Sequence, residues 1–470
     1  MMGCAEPTEN THLLKGASKA VEEEEEEEQT WGDYAYQIVI AGTGFFADAY
    51  DLFVIDLVMS ILTRLNPSEI GAWEKSMIGS ATLTGAVIGQ VSFGILGDWF
   101  GRKWTFVATC ALIIVGTIAS GCCVWTDGPF KLVYQLSLCR LVLGVGVGGE
   151  YPLAATIAAE SSTRERRGSL VAAVFSMQGW GMLLSCLVVL VLLWAEFHLD
   201  IVWRAALIVG AIPSMLVVAL RYRLEESGLF LEASSGRAED VSLSQKLSAS
   251  LVYMRKFWHP LVGTTMTWLI LDITFYGTGS FKSRISGFLV ETDAATAEDQ
   301  LWHEAVFAVI CVCMALPGYL LSVTFIERIG RYNLQLGGFI AMAANFALIA
   351  ILQKRLPADW SWLLIVFFGL TFLFANFGPN TTTFVIPSEV YPTMIRATCH
   401  GISAAAGKLG AVIGVVAFSP CEEAFGLQTV LAFCSVVCIV GALFTYGFTT
   451  DKVIDLQQLD EMSPSPASKA

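Results

Sequence analysis

The sequence predicts an all-α membrane protein of twelve transmembrane helices in two six-helix halves, and three observations predict it. Of 470 residues, 55% are apolar and only 15% are charged, against roughly 25% charge in a soluble domain. Twelve apolar runs each supply the ~20 residues that a hydrocarbon core demands of a spanning helix. A charged, Ser-rich stretch at residues 222–259 divides those runs six and six. This composition excludes a soluble enzyme, a disordered or collagen-like chain and a secreted disulfide scaffold. The runs are too long for barrel strands, so helices must satisfy the backbone.

Taken in order, the first run, 36–62, follows an acidic tail and stays apolar around its three aspartates. Runs 76–97 and 104–125 are separated by one tight charged loop. Run 132–154 is Gly-rich, run 168–195 opens after a basic cluster, and run 201–221 closes the first half. Run 260–283 is rich in aromatics, and 303–326 and 334–353 again flank a short charged loop. Run 361–388 is interrupted at Gly378-Pro379, where a broken turn frees backbone groups to line a cavity. Runs 396–419, rich in Ala and Gly, and 427–449 complete the set. The predicted units are an acidic disordered tail (1–35), a first half (36–221), a cytoplasmic central loop (222–259), a second half (260–449) and a short tail (450–470).

Loop charge gives the orientation. With both termini cytoplasmic, 18 Lys and Arg fall in cytoplasmic segments and 7 in outer loops. The net charge of −14 is mostly local: residues 1–30 hold nine Glu against Lys15 and Lys19. Such a block is a solvated tail, and no basic surface suited to nucleic acid remains. The twelve Cys show no zinc or disulfide spacing, and those in the apolar runs read as small buried hydrophobes. No signal peptide precedes the first run. No metal and no cofactor is expected.

A weak repeat joins the halves. Gly97-Asp98-Trp99-Phe100-Gly101-Arg102-Lys103 follows the second run, and Glu327-Arg328-Ile329-Gly330-Arg331 follows the eighth. Acid, turn glycine and cation suit a tight loop packed on helix ends. Two six-helix halves with a repeated loop point to a transporter that holds its substrate near the midplane and alternates access. Asp98, Arg102, Glu327 and Arg331, with Arg140, are the expected gating residues.

Ionisable side chains inside spans cost at least ~2.5–3.5 kcal/mol each. The first run carries Asp48 and Asp51, three apart and on one face. The fourth carries Arg140, expected to pair with a carboxylate as a packing element, and Glu150 before Tyr151. The fifth offers Gln178 and Trp180. The seventh carries Trp268, Asp272 and Tyr276, spaced four and four along one stripe. The tenth carries Asn376 and Asn380, and the eleventh carries Lys408. A net acidic cavity fits a cationic substrate. It equally fits proton coupling, because a carboxyl in low dielectric is protonated more readily and then donates to an anion.

The segments GTGFFADAYDLF, GGEYPLAATIAAE, RRGSLVAAVFSMQGWG, WLILDITFYG and NFGPNTTTFVIPSEVYPTMIRATCHGISAAAGKLGA resemble the phosphate:proton symporter family of the major facilitator superfamily, the inorganic phosphate transporters. The resemblance implies that fold and the import of inorganic phosphate with protons by rocking of the halves. It implies phosphate contacts at Tyr151, Gln178, Trp268, Asp272, Tyr276, Asn380 and Lys408. It also implies proton-coupling roles for Asp48, Asp51, Glu150 and Asp272. The chain departs from the family at Glu150, where Asp is usual, so a glycerophosphodiester or other organic phosphate permease is an alternative. A non-transporting phosphate receptor is another. LEESGLFLE and TDKVIDLQQLDEM are faint forms of family motifs and are expected to affect regulation.

The expected partners are phosphate, protons and the lipid bilayer, with the monomer as functional unit and no nucleic acid. The expected location is the plasma membrane. Glu9, Leu13 and Leu14 fit an acidic dileucine signal that would redirect the chain to an endosomal or vacuolar membrane. Ser463 and Ser465 each precede Pro in the last tail.

Overall fold

The computed structural model describes residues 31–126, 128, 130–223, 226–235, 243–279, 297–355, 360, 362–449 and 456–461. The dileucine signal, most of the acidic tail, Ser463 and Ser465 lie outside the described residues. The first half comprises α1 (Trp31–Leu65), α2 (Ala72–Phe100), α3 (Arg102–Gly121), α4 (Leu132–Glu160), α5 (Arg167–Trp194), α6 (Leu199–Val209) and α7 (Ala211–Tyr222). Short α8 (Gly228–Ser235) and α9 (Leu243–Lys256) occupy the central stretch. The second half comprises α10 (Trp258–Gly279), α11 (Ala297–Ile329), α12 (Arg331–Leu352), α13 (Trp362–Asn376), α14 (Pro379–Glu389), α15 (Arg396–Phe425) and α16 (Leu427–Phe448), and α17 (Leu456–Glu461) follows.

Among the described residues, ten segments are long and apolar enough to cross a membrane, with α6–α7 and α13–α14 each counted as one. Two more long helices, α1 and α10, carry buried aspartates and complete twelve spans in two halves. Exposed Trp73, Trp194 and Trp362 mark one end of the bundle and Trp104 and Trp258 the other, the amphipathic belts of a membrane protein. Two predicted boundaries move. The first span begins at Trp31 rather than near 36, and the central stretch is partly helical rather than only loop.

The tenth span breaks at Gly378-Pro379 as its sequence predicts. Pro379 has no N–H to offer the preceding turn. At the break, the Asn376 carbonyl accepts from the Ser322 and Thr381 hydroxyls, both at 2.7 Å.

The halves meet along α2 with α15 and α5 with α11. These are the second and eleventh spans and the fifth and eighth, so each contact is the pseudo-symmetric counterpart of the other. The repeated loops sit at the ends of these contacts. Gly101 (φ 96°) and Gly330 (φ 85°) both turn through the left-handed half of the map, which a side chain would resist.

Candidate functional site

Twelve residues into α15, about 18 Å along its axis at 1.5 Å per residue, Lys408 reaches into the plane between the halves. Its ammonium donates to Asp272 Oδ2 at 3.2 Å and to the Tyr276 hydroxyl at 3.0 Å. It also lies 5.0 Å from the Tyr151 ring centroid. Asp272 and Tyr276 meet it together because they are four apart on α10, one turn above each other. Trp268, a further turn down, packs on Gly407, where a Cβ would strike the indole. Tyr151, from the first half, lies 6.3 Å from the Trp268 ring. An anion in this place meets one cation, hydroxyl and indole donors, and one carboxylate.

A second polar group is tied together by a residue that sequence reasoning missed. The Tyr319 hydroxyl on α11 accepts from Gln178 Nε2 at 3.1 Å and from Asn380 Nδ2 at 3.3 Å. Asn380 also donates to Asn376 Oδ1 at 2.7 Å. Gln178 belongs to the first half and Asn380 to the second, so one buried phenol joins them. The signal for Tyr319 is slight: it follows Pro317-Gly318 inside an otherwise apolar run. Trp180 faces outward and takes no part.

The expected proton-coupling carboxylates fall into two places, with Asp272 at Lys408 and the other three within the first half. Glu150 turns into the first half and forms a two-pronged ion pair with Arg221, with Thr109 Oγ1 donating to it at 2.9 Å. Gly44 makes the room, since a Cβ there would collide with both side chains. Arg221 stacks 3.7 Å from the Phe106 ring centroid. By sequence, Arg221 ends a span and counts with the loop cations; in the fold it is 1% exposed. Asp48 is close enough to Glu150 and Arg221 to feel their charge, and among the described residues neither of its carboxylate oxygens has a hydrogen-bond partner. Asp51 faces elsewhere: Thr117 Oγ1 donates to its Oδ2 at 2.8 Å.

Arg140 departs from the expected pairing with a carboxylate. It lies deep in α4, away from both repeated loops. Its hydrogen bonds go to Thr82 Oγ1 at 3.0 Å and to the Asp51 backbone carbonyl, not to a carboxylate. A guanidinium has five N–H donors, which neutral acceptors can also fill, and Asp51 and Asp56 are near enough to act on its charge.

Asp98, Arg102, Glu327 and Arg331 occupy the end of the bundle that carries the repeated loops. Asp98 accepts from the Thr398 N–H and hydroxyl, both at 2.7 Å, at the N-terminus of α15. Arg102 bonds Asp98 at 3.2 Å, Glu160 at 3.1 Å and the Thr393 carbonyl at 2.9 Å. In the counterpart, Glu327 accepts from the Ser169 N–H at 3.0 Å at the N-terminus of α5, and Arg331 bonds Glu389 at 2.7 Å. Each half thus caps a helix of the other with a carboxylate, where the helix dipole favours it. The faint motifs take part as well. Glu226 accepts from the Arg102 N–H at 2.9 Å and caps α3, and Asp460 of α17 accepts from the Thr393 N–H and hydroxyl at 2.7 Å each.

Between these caps and Lys408, rings from both halves form a plug. Phe384 lies 4.8 Å from Phe45, 4.8 Å from Phe175 and 5.2 Å from His400. The opposite end is thinner. Phe53 stacks on Tyr276 at 5.9 Å and 13°, and beyond them opens a cavity of about 640 Å³, within the roughly 300–1,000 Å³ of small-molecule sites. Among the described residues, no group of three or more His, Cys, Asp or Glu could hold a metal.

Two six-helix halves around a buried polar site, sealed at one end and hollow at the other, define a secondary transporter rather than an enzyme. The chain belongs to the sugar (and other) transporter family, whose pattern matches residues 36–462. It is 36% identical to a putative inorganic phosphate transporter 1-13 of Oryza sativa subsp. japonica, over 90% of each chain. It is 33% identical to a probable inorganic phosphate transporter 1-6 of Arabidopsis thaliana, over 90% of this chain and 92% of that one. Among solved structures it is similar to the proton:xylose symporter XylE of the major facilitator superfamily, bound to 6-bromo-6-deoxy-D-glucose. The TM-score is 0.74 at 19% identity, covering 92% of this chain and 99% of that one. The inward-open form of XylE from E. coli gives 0.62 at 20% identity, covering 91% and 99%.

Proposed function

We propose that this protein imports inorganic phosphate together with protons by alternating access. The observation that carries the proposal is the buried Lys408–Asp272 pair between the halves. As a pair it is neutral. A phosphate monoanion added to it would leave a net negative charge in low dielectric, which is costly. A proton taken up by Asp272 restores neutrality. It also frees Lys408 for the anion and turns the carboxyl into a hydrogen-bond donor. Anion and proton therefore load together on charge balance alone. Tyr151, Trp268 and Tyr276 surround that position, and Gln178 and Asn380 close it from either half. The relatives named for inorganic phosphate transport support the same cargo.

The repeated-loop end is assigned to the cytoplasm by its Lys and Arg excess, in a plasma membrane, with the monomer as the working unit. The state described is then closed inward and hollow outward. Asp48, Asp51 and Glu150 are assigned to the proton path within the first half. The phosphate-ester alternative rests on Glu150. Its carboxylate is held by Arg221 and Thr109, so its extra methylene does not enlarge the space around Lys408.

The test is labelled phosphate uptake into proteoliposomes with and without an inward proton gradient, challenged by a glycerophosphodiester. Gradient-driven uptake indifferent to the diester is expected. Uptake indifferent to the gradient, or blocked mainly by the diester, would overturn the proposal.

A further inference from the structure

The outer cavity has its own charged mouth, which no role above uses. Arg64, in the last turn of α1, donates through Nη2 to Glu304 of α11 at 3.1 Å and through Nη1 to the Ser60 carbonyl at 3.1 Å. Its side chain is 21% exposed and that of Glu304 17%, so water reaches the pair without saturating it. Lys75 of α2, the Ser60 and Thr63 side chains and exposed Asp56 line the same cavity, and Tyr276 lies at its floor. Arg64 belongs to the first half and Glu304 to the second. Among the described residues, theirs is the ion pair that joins the halves at this end.

We propose that Arg64, supported by Lys75, is an outer capture site for a phosphate-class oxyanion, and that Glu304 holds Arg64 when no anion is present. The inference rests on the phosphate reading of the buried site. A guanidinium offers a planar fork that fits carboxylate and phosphate oxyanions equally well, so an arriving phosphate competes with Glu304 for the same donors. Displacement of Glu304 breaks the tie between the halves at the mouth. The anion then stands above the Phe53–Tyr276 lid, and the Tyr276 hydroxyl already touches Lys408 at 3.0 Å. Arg64 and Lys408 thus form two successive cationic stations separated by one aromatic layer. Among the described residues, two cations and two carboxylates line the mouth, and the exchange of partner at Arg64 supplies the attraction.

The two partners of one ion pair predict opposite effects, and this separates capture from clamping. In proteoliposomes with full-length protein, Arg64→Gln raises the KM for external phosphate about tenfold, the loss of one charge-assisted hydrogen bond, with Vmax within about twofold. Glu304→Gln removes the competitor and lowers that KM severalfold. Arg64→Lys, which keeps the charge without the fork, falls between Arg64→Gln and wild type. Phosphate efflux from the opposite face keeps its wild-type KM in all three variants. If the pair only clamps the halves, Arg64→Gln and Glu304→Gln move KM or Vmax in the same direction. That result, or an unchanged external KM in Arg64→Gln, overturns the inference while leaving the transport reading intact. Absence of phosphate uptake by the wild type overturns both.

Discussion

Asp98, at the end of α2, accepts a 2.7 Å hydrogen bond from the backbone N–H of Thr398, in the first turn of α15. A carboxylate of one half thereby caps a helix of the other, and Glu327 does the same for α5 through Ser169. A charge-assisted bond of this kind contributes about 1.5–3 kcal/mol, or roughly ten- to a hundredfold in the balance between closed and open states. Asp98→Ala should therefore open the repeated-loop end. A cysteine introduced at Ser169 should become more reactive to a water-soluble maleimide, and the phosphate uptake rate should fall at least about fivefold with expression unchanged. Glu327→Ala should act alike on a cysteine introduced at Thr398. Unchanged labelling in both variants would mean that the caps do not hold this end shut.

Lys408 and Asp272 make separable predictions for stability and transport. Removing one partner of a buried pair leaves the other charge unpaired, at about 3–5 kcal/mol, whereas an apolar replacement of both is often near neutral. Asp272→Asn should lower the melting temperature of purified protein and abolish gradient-driven uptake. The doubly apolar variant Asp272→Leu with Lys408→Met should recover most of the melting temperature and none of the uptake. Uptake restored by the double variant would remove the pair from the mechanism.

Much of this architecture is legible in the sequence because membranes enforce simple rules. Span length, loop charge and the acid–glycine–cation repeat give twelve helices, two halves and the interface loops. Asp272 stands out because a carboxylate inside an apolar helix is expensive. Burial partners are harder to read. Arg221 sits at a span boundary, where position alone does not say whether it faces water or Glu150. Tyr319 hides because a tyrosine in an apolar run is as suited to packing as to hydrogen bonding. Arg140 misleads because an embedded cation suggests an acid, although a carbonyl and a hydroxyl from α1 and α2 serve it. Each failure concerns which neighbour a rigid fold brings across from another helix, and spacing along one chain carries no record of that.

Tyr319 predicts a loss of binding without a loss of fold. Tyr319→Phe removes the acceptor of Gln178 Nε2 and one acceptor of Asn380, while Asn376 still serves Asn380. The cost of leaving one buried amide donor unmet is about 1–3 kcal/mol. The half-to-half bridge across the proposed substrate position is lost with it. The KM for phosphate should rise about tenfold, with the melting temperature changed by only a few degrees. A melting temperature that falls while KM holds would make Tyr319 a packing residue.

Gly44 and Glu150 make the last prediction, because the ion pair behind them is a matter of space. A Cβ at position 44 would overlap both the Arg221 guanidinium and the Glu150 carboxylate, and both side chains are buried. Gly44→Ala must displace at least one of them, and overpacking of this kind costs about 1–3 kcal/mol. Glu150→Asp shortens the stem and leaves one prong of the pair stretched, which is a milder loss. Glu150→Gln leaves Arg221 charged and uncompensated, at about 3–5 kcal/mol. The melting temperature should therefore fall least in Glu150→Asp and most in Glu150→Gln, with Gly44→Ala between them. Because the Lys408 site is built from other residues, Glu150→Asp should keep gradient-driven phosphate uptake with its KM within about threefold. Loss of uptake in a Glu150→Asp protein that melts like the wild type would show that the Glu150–Arg221 pair takes part in proton transfer at its present length, beyond holding the first half together.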